Sequence, residues 1–138
     1  MENAIAVFKW NLPHVRQIQV YSSLTSTNTF AKEQVQQGAE HGTVIWALEQ
    51  TAGRGRRNRT WFSDISSLTF SLIWWLPNYR KASLVPLALG LGIAQELQIY
   101  SSSIKVKWPN DIWAGDKKLA GILCESTRSE SGLWVVAG

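Results

Sequence analysis

The succession of apolar patterns along the chain predicts an α+β fold, with a mixed, mostly antiparallel sheet and two helices packed on one of its faces. Three observations carry that expectation. Short alternating or β-branched runs recur from Gln17 onward with turn residues between them, only two stretches switch to helical spacing, and the C-terminal runs fold back on each other as a hairpin. At 138 residues the chain is expected to form one domain, residues 1–138, with a core of its own.

The opening segment is irregular until QIQVY (Gln17 to Tyr21), whose alternation reads as the first strand. SSLTSTN then supplies capping side chains, and a helix is expected from about Thr27 through TFAKEQVQQ to Gly38, where glycine can take the left-handed conformation that ends helices. GTVIWALEQ (Gly42 to Gln50) is apolar and β-branched enough for a buried strand, and it delivers the chain into an arginine-rich loop. SLTFSLIWW (Ser67 to Trp75) alternates as another central strand, closed by Pro77 and Asn78. In SLVPLALGLGIAQELQIY the residues Leu84, Leu87, Leu91, Ala94 and Leu97 recur at helical spacing, Ser83 can cap the helix, and Pro86 falls in its first turn. Gly90 and Gly92 lie inside that helix and read as close packing; a dinucleotide fingerprint needs a preceding strand and a third glycine. IKVKW (Ile104 to Trp108) is a short strand and Pro109 to Asp111 a turn. DIWAGDKKLAGILCES forms a hairpin reversing at Gly115 and Asp116, with KLAGILCES returning, and GLWVVAG begins a further strand.

Composition narrows the function. An apolar share of 45% with 17% charged residues excludes intrinsic disorder. The eight tryptophans are spread along the chain, which places most of them in the core or in strands and argues against a single aromatic box. The formal charge of +4 is matched by Arg54, Arg56, Arg57 and Arg59 alone, so the excess is local. So compact a patch suits a phosphate-bearing small molecule at least as well as a nucleic acid, which needs charge along an extended surface. One cysteine and two histidines exclude a disulfide framework and a Cys/His zinc cluster, and Cys124 reads as a buried, inert thiol. With no basic leader and no apolar run long enough to span a bilayer, a cytoplasmic protein without membrane contact is expected.

Four motifs carry chemistry, each with a plain structural reading beside it. In TAGRGRRNRTWF (Thr51 to Phe62) the glycines let the backbone approach a ligand and the arginines offer forked donors to phosphate; the alternative is a solvated basic turn. It lacks the spacing of a Walker loop. STN (Ser26 to Asn28) is a helix cap that can also hold a polar ligand head, and KWPND (Lys107 to Asp111) is ordinary turn chemistry. KKLAGI places Lys117 and Lys118 beside the small residues Ala120 and Gly121, as a hairpin strand or as a lysine reaching an anion next to room for a ring.

In this order, and from about Ser26 onward, STN, EQTAGRGRRNRTW, KWPNDI and KLAGIL together resemble the catalytic domain of biotin protein ligases, the biotin–[acetyl-CoA-carboxylase] ligase family. The resemblance implies a core like that of class II aminoacyl-tRNA synthetases. It implies a C–N bond-forming ligase that joins biotin to ATP with Mg²⁺, holds biotinyl-5′-AMP, and passes biotin to a lysine of the biotin carboxyl carrier protein of acetyl-CoA carboxylase. Carried over by motif position, Ser26, Thr27, Asn28, Gln50, Gly53, Arg54, Gly121 and Leu123 would meet biotin. Arg56, Arg57, Arg59, Trp61, Asn110 and Lys118 would meet the nucleotide. Lys118, Arg56 and Asp111 would carry catalysis, Lys118 holding the oxygens between carboxylate and α-phosphate and Asp111 helping to deprotonate the acceptor lysine. Family members continue past VVAG with further adenine-side residues and usually a small β-barrel domain, so a partial catalytic domain is expected. No helix-turn-helix precedes QIQVY, so DNA binding is not implied. The competing readings are a lipoate or octanoate ligase of the same fold and a single-stranded nucleic acid binding module that stacks bases on tryptophan. Oligomeric state stays open.

Overall fold

The structure, a computed structural model, describes residues 3–10 and 12–138. Among them, nine strands and two α-helices form two sheets. Strands β1 (Ala6–Lys9), β2 (Gln17–Tyr21), β3 (Thr43–Ala47), β4 (Thr69–Leu76), β9 (Gly132–Ala137) and β8 (Cys124–Ser129) lie side by side in that order. Only β2 and β3 run parallel, connected through helix α1 (Thr27–Gln36), so the sheet is mixed and mostly antiparallel as its sequence predicts. The second sheet is a three-stranded antiparallel meander of β5 (Ile104–Lys107), β6 (Asp111–Ala114) and β7 (Lys117–Gly121), preceded by helix α2 (Val85–Leu97).

Each sheet has its own helix and its own apolar cluster. Period-2 alternation buries Thr43, Ile45 and Ala47 of β3 on one face. There Ile45 and Ala47 join Ile73, Val136, Tyr21 and Leu24 beneath Ala31, Phe30 and Val35 of α1. On the small sheet Ile104 and Ile112 pack against Ala94 of α2, with Val106, Ala114 and Ala120 around them. Gly90 is buried where α2 meets this sheet, and a Cβ there would make only ordinary contacts, 3.6 Å from Ile122 and 3.7 Å from Val106.

Several local expectations hold in detail. Ser26 caps α1, its Oγ accepting from the Thr29 N–H at 3.4 Å, and Gly38 sits past the helix end at φ +88°. Gly115 turns the β6–β7 hairpin at φ +60°.

Other expectations are corrected. The two helices do not share one face of one sheet but cover different sheets. The opening segment contains β1, an edge strand with no buried residue and hence no alternation to read. Ser83 does not cap α2: it lies in a 3₁₀ turn, Tyr79–Leu84, that runs straight into the helix, so that the Val85 N–H is already bonded to Ala82 O. Asn78 caps that turn instead, accepting from Arg80 N at 3.0 Å. Gly92 faces open space and a Cβ at Gly90 would meet only ordinary contacts, so close packing requires a glycine at neither position. KLAGILCES is not one strand. β7 stops at Gly121 and β8 starts at Cys124 in the other sheet, because Ile122 N bonds Asn110 O (2.8 Å) on the small sheet while Leu123 N bonds Gly138 O (2.7 Å) on the large one. Five of the eight tryptophans, Trp46, Trp74, Trp75, Trp113 and Trp134, lie in strands as expected, but none is fully buried; Trp10 and Trp108 are 54% and 77% exposed, and Trp46 and Trp74 lie on the large-sheet face away from α1.

Candidate active site

At the start of α1 a chain of polar groups is built into the large sheet. Ser26, Thr27, Asn28 and Ser71 are buried. Gln50 Oε1, at the end of the β3 segment, accepts from the Thr27 N–H at 2.8 Å and from its hydroxyl at 3.1 Å. Ser71 Oγ lies 2.8 Å from Thr27 Oγ1 and 2.6 Å from Asn28 Oδ1. A hydroxyl has a single proton and an amide oxygen can only accept, so Ser71 donates to Asn28. Asn28 Nδ2 donates to Leu123 O (3.0 Å) and to Glu125 (3.1 Å). Both ends of the Asn28 amide are therefore committed to the protein.

Glu125 closes the chain. Its Oε2 accepts from Arg54 Nη2 at 2.7 Å as well as from Asn28, and its Oε1 accepts from Lys32 Nζ at 2.8 Å. Burial works against its ionisation, but the hydrogen bonds from Lys32 and Asn28 and the charges of Arg54 and Lys32 outweigh that and hold its carboxyl below the usual glutamate range. Sequence reasoning missed Glu125; no motif marks it.

The arginine loop is a miniature hairpin. Arg54 bridges Thr60, the Gly55 N–H donates to Arg59 O (2.7 Å), and the Trp61 N–H donates to Gly53 O (2.9 Å). Gly53 is required, because a Cβ there would overlap the Trp61 carbonyl oxygen. The tip, Arg56–Asn58, is one 3₁₀ turn with Arg57 and Asn58 both left-handed at φ 56° and 59°. Arg56, Arg57 and Arg59 are exposed. Arg56 Nη1 crosses to the small sheet and donates to Asn110 Oδ1 at 3.1 Å. Asn110 is itself fixed by a bond from its Nδ2 to Ile122 O at 2.8 Å.

Beside that contact, Lys118 Nζ pairs with Asp111 Oδ1 at 2.8 Å and lies 5.2 Å from the Trp61 ring centre. Gly121 leaves space between them, since a Cβ would stand 3.1 Å from Trp61 Cζ3 and 3.2 Å from Lys118 Nζ. The structure thus collects two groups around one junction between the sheets. Thr27, Asn28, Gln50, Gly53, Arg54 and Leu123 line the large-sheet side, and Arg56, Trp61, Asn110, Asp111, Lys118 and Gly121 the small-sheet side. Among the described residues, the Arg57 and Arg59 side chains make no hydrogen bond or ion pair.

Among the described residues no cluster of three or more His, Cys, Asp or Glu side chains can cage a metal. Mg²⁺ is ordinarily held by one or two carboxylates together with substrate phosphates, and Asp111 at the junction fits that more modest requirement. Burial pushes the Cys124 thiol up to about 11, in keeping with an unreactive sulfur. A surface hollow of about 380 Å³ lined by His41, Trp75 and Trp134 lies at the far end of β4, away from these residues. No helix among the described residues is long and apolar enough to cross a membrane.

Residues 20–138 match the biotin/lipoate A/B protein ligase family. The bifunctional ligase/repressor BirA of Escherichia coli is 35% identical over 113 residues, which take in 80% of this chain and 35% of that protein. The biotin–[acetyl-CoA-carboxylase] ligase of Mycobacterium tuberculosis is 34% identical over 118 residues, covering 80% and 44%. The structure of the biotin protein ligase from Aquifex aeolicus in complex with biotin and ATP superposes with a TM-score of 0.73 at 31% identity, over 87% of this chain and 50% of that one. The chain spans between 35% and 50% of the length of these relatives.

Proposed function

The chain belongs to the biotin/lipoate A/B protein ligase family, and from that premise we propose that it contributes the substrate-activating site of an ATP-dependent biotin protein ligase. In the first step a biotin carboxylate oxygen attacks the α-phosphorus of ATP, giving biotinyl-5′-AMP and pyrophosphate. In the second, the amine of a carrier-protein lysine attacks the acyl carbon, forming an amide and releasing AMP. The observation that carries the reading is the convergence of Lys118, Asp111, Arg56, Asn110 and Trp61 beside Gly121.

The chemistry explains why such groups converge. Two anions must be brought together, so cations have to screen the carboxylate from the phosphate and hold both in line. Lys118 would neutralise the oxygens at the new bond, and Arg56 would contact phosphate once it leaves Asn110. Mg²⁺, when bound with the nucleotide, would supply further charge neutralisation on the phosphates. Trp61 offers a ring face to the adenylate. On the other side, Thr27, Gln50 and Arg54 give matched donors and acceptors for the ureido ring and carboxylate, while Asn28, its amide already bonded at both ends, holds their positions. In the transfer step the acceptor ammonium, with an ordinary pKa of about 10.4, must lose a proton, and Asp111 is the carboxylate at the junction that can take it.

The test is mass-spectrometric detection of an acyl-adenylate after mixing the protein with MgATP and, in separate samples, biotin, lipoate or octanoate. Biotinyl-adenylate alone is expected. A lipoyl or octanoyl adenylate would transfer the assignment to the sister activity within the family, and no adenylate with any acid would remove the ligase reading.

A further inference from the structure

The loop arginine that the proposed function places at the substrate carboxylate is held by a residue with no assigned role. Glu125 projects from edge strand β8 and binds three donors from two parts of the chain: Asn28 and Lys32 on α1, and Arg54 at the neck of the arginine loop. Arg54 is the residue whose bridge to Thr60 begins the loop hairpin, so whatever holds Arg54 also holds the loop neck. With one Nη on Glu125, its Nε is buried and finds no acceptor among the described residues.

An ordinary surface ion pair contributes little and leaves its arginine free to swing. Glu125 differs in that its shared oxygen also accepts from Asn28, an amide clamped by Ser71 and by the Leu123 carbonyl. The carboxylate therefore cannot rotate to follow Arg54 without breaking a buried bond, and the arginine must come to it. We propose that Glu125 is a positioning residue that fixes Arg54, and with it the neck of the arginine loop, against the start of α1, so that the loop presents its donors to a carboxylate-bearing substrate in one orientation. The substrate half of this statement rests on the ligase reading; the anchoring half does not.

The experiment compares the protein with Glu125→Gln, which keeps the shape and one acceptor but loses the charge, with Lys32→Met, which removes a Glu125 partner outside the loop, and with Arg54→Met. Limited trypsin digestion of the unliganded protein, mapped by mass spectrometry, reads the anchoring directly. Cleavage between residues 54 and 60 should accelerate about threefold or more in Glu125→Gln and stay near wild type in Lys32→Met, as expected when one local contact is loosened. In adenylate formation, Glu125→Gln should raise KM for biotin by about tenfold with kcat within about twofold, and should add almost nothing on top of Arg54→Met, since two changes along one line of action are not additive. Unchanged loop cleavage in Glu125→Gln, acceleration at every site along the chain, or full additivity with Arg54→Met would overturn the proposal. If no variant and no wild-type sample forms biotinyl-adenylate, the ligase reading fails on its own, and the digestion still decides whether Glu125 anchors the loop.

Discussion

The polar network beneath α1 and the tip of the arginine loop lie within one junction but are constructed in opposite ways. In the network, Thr27, Asn28 and Ser71 are buried, and both ends of the Asn28 amide and both Glu125 oxygens are hydrogen-bonded within the protein. At the tip, Arg56, Arg57 and Arg59 are exposed, two successive residues hold left-handed backbone, and one side-chain bond, Arg56 to Asn110, ties the turn to the other sheet. A buried polar group is costly unless satisfied, so the first region has to be complete before any ligand arrives. The second leaves its arginine donors open, and the proposed function would complete it with the phosphates of the nucleotide. Stability should therefore be concentrated on one side of the junction and activity on the other.

Three substitutions test that division, in falling order of effect. Lys118→Ala belongs to the open side: adenylate formation should drop by about 10²–10³, the usual scale for removing one donor to developing charge, while biotin affinity and the melting temperature stay close to wild type. An unchanged adenylate yield would take Lys118 out of the chemistry, and a protein that melts early would blur the contrast between the two regions. Ser71→Ala belongs to the closed side. It leaves Asn28 Oδ1 buried without its donor and should cost about 1–3 kcal/mol in urea unfolding, with any loss of activity following the loss of folded protein. Arg57→Gly probes the tip backbone alone. Relief of roughly 1–2 kcal/mol of left-handed strain is largely offset by the extra freedom of glycine in the unfolded chain, so stability should change by less than about 1 kcal/mol. A larger loss would mean that the Arg57 side chain makes contacts the loop depends on.

The same division explains what was legible in the sequence. QIQVY, the Thr27 helix with its stop at Gly38, and the Gly115 reversal were readable because each is set by residues within a few positions. The motif residues could be located for the same reason, and the structure brings most of them to one junction. β1 escaped because an edge strand with both faces open needs no alternation. The break in KLAGILCES escaped because it depends on which distant strand each amide finds, Asn110 for Ile122 and Gly138 for Leu123. Glu125 escaped for a stronger version of that reason. Its three partners lie 71 to 97 residues away, and nothing in CESTRS announces them. The tryptophans were legible as strand residues, since Trp46, Trp74, Trp75, Trp113 and Trp134 all lie in strands, but their burial was not, because an indole is large and seldom fully enclosed.

The two residues that carry the chain from one sheet to the other have a further consequence. Ile122 is bonded in both directions to Asn110, and Leu123 in both directions to Gly138, all between 2.7 and 3.0 Å. So short a strap, pinned at each end, gives the junction a fixed gauge. Under the proposed function, discrimination among acyl substrates would then fall to the residues beside the strap rather than to a change in the spacing of the two sheets. On that reading, adaptation of this scaffold to another acid would be expected to change positions bordering the strap, such as Gly121 and Leu123.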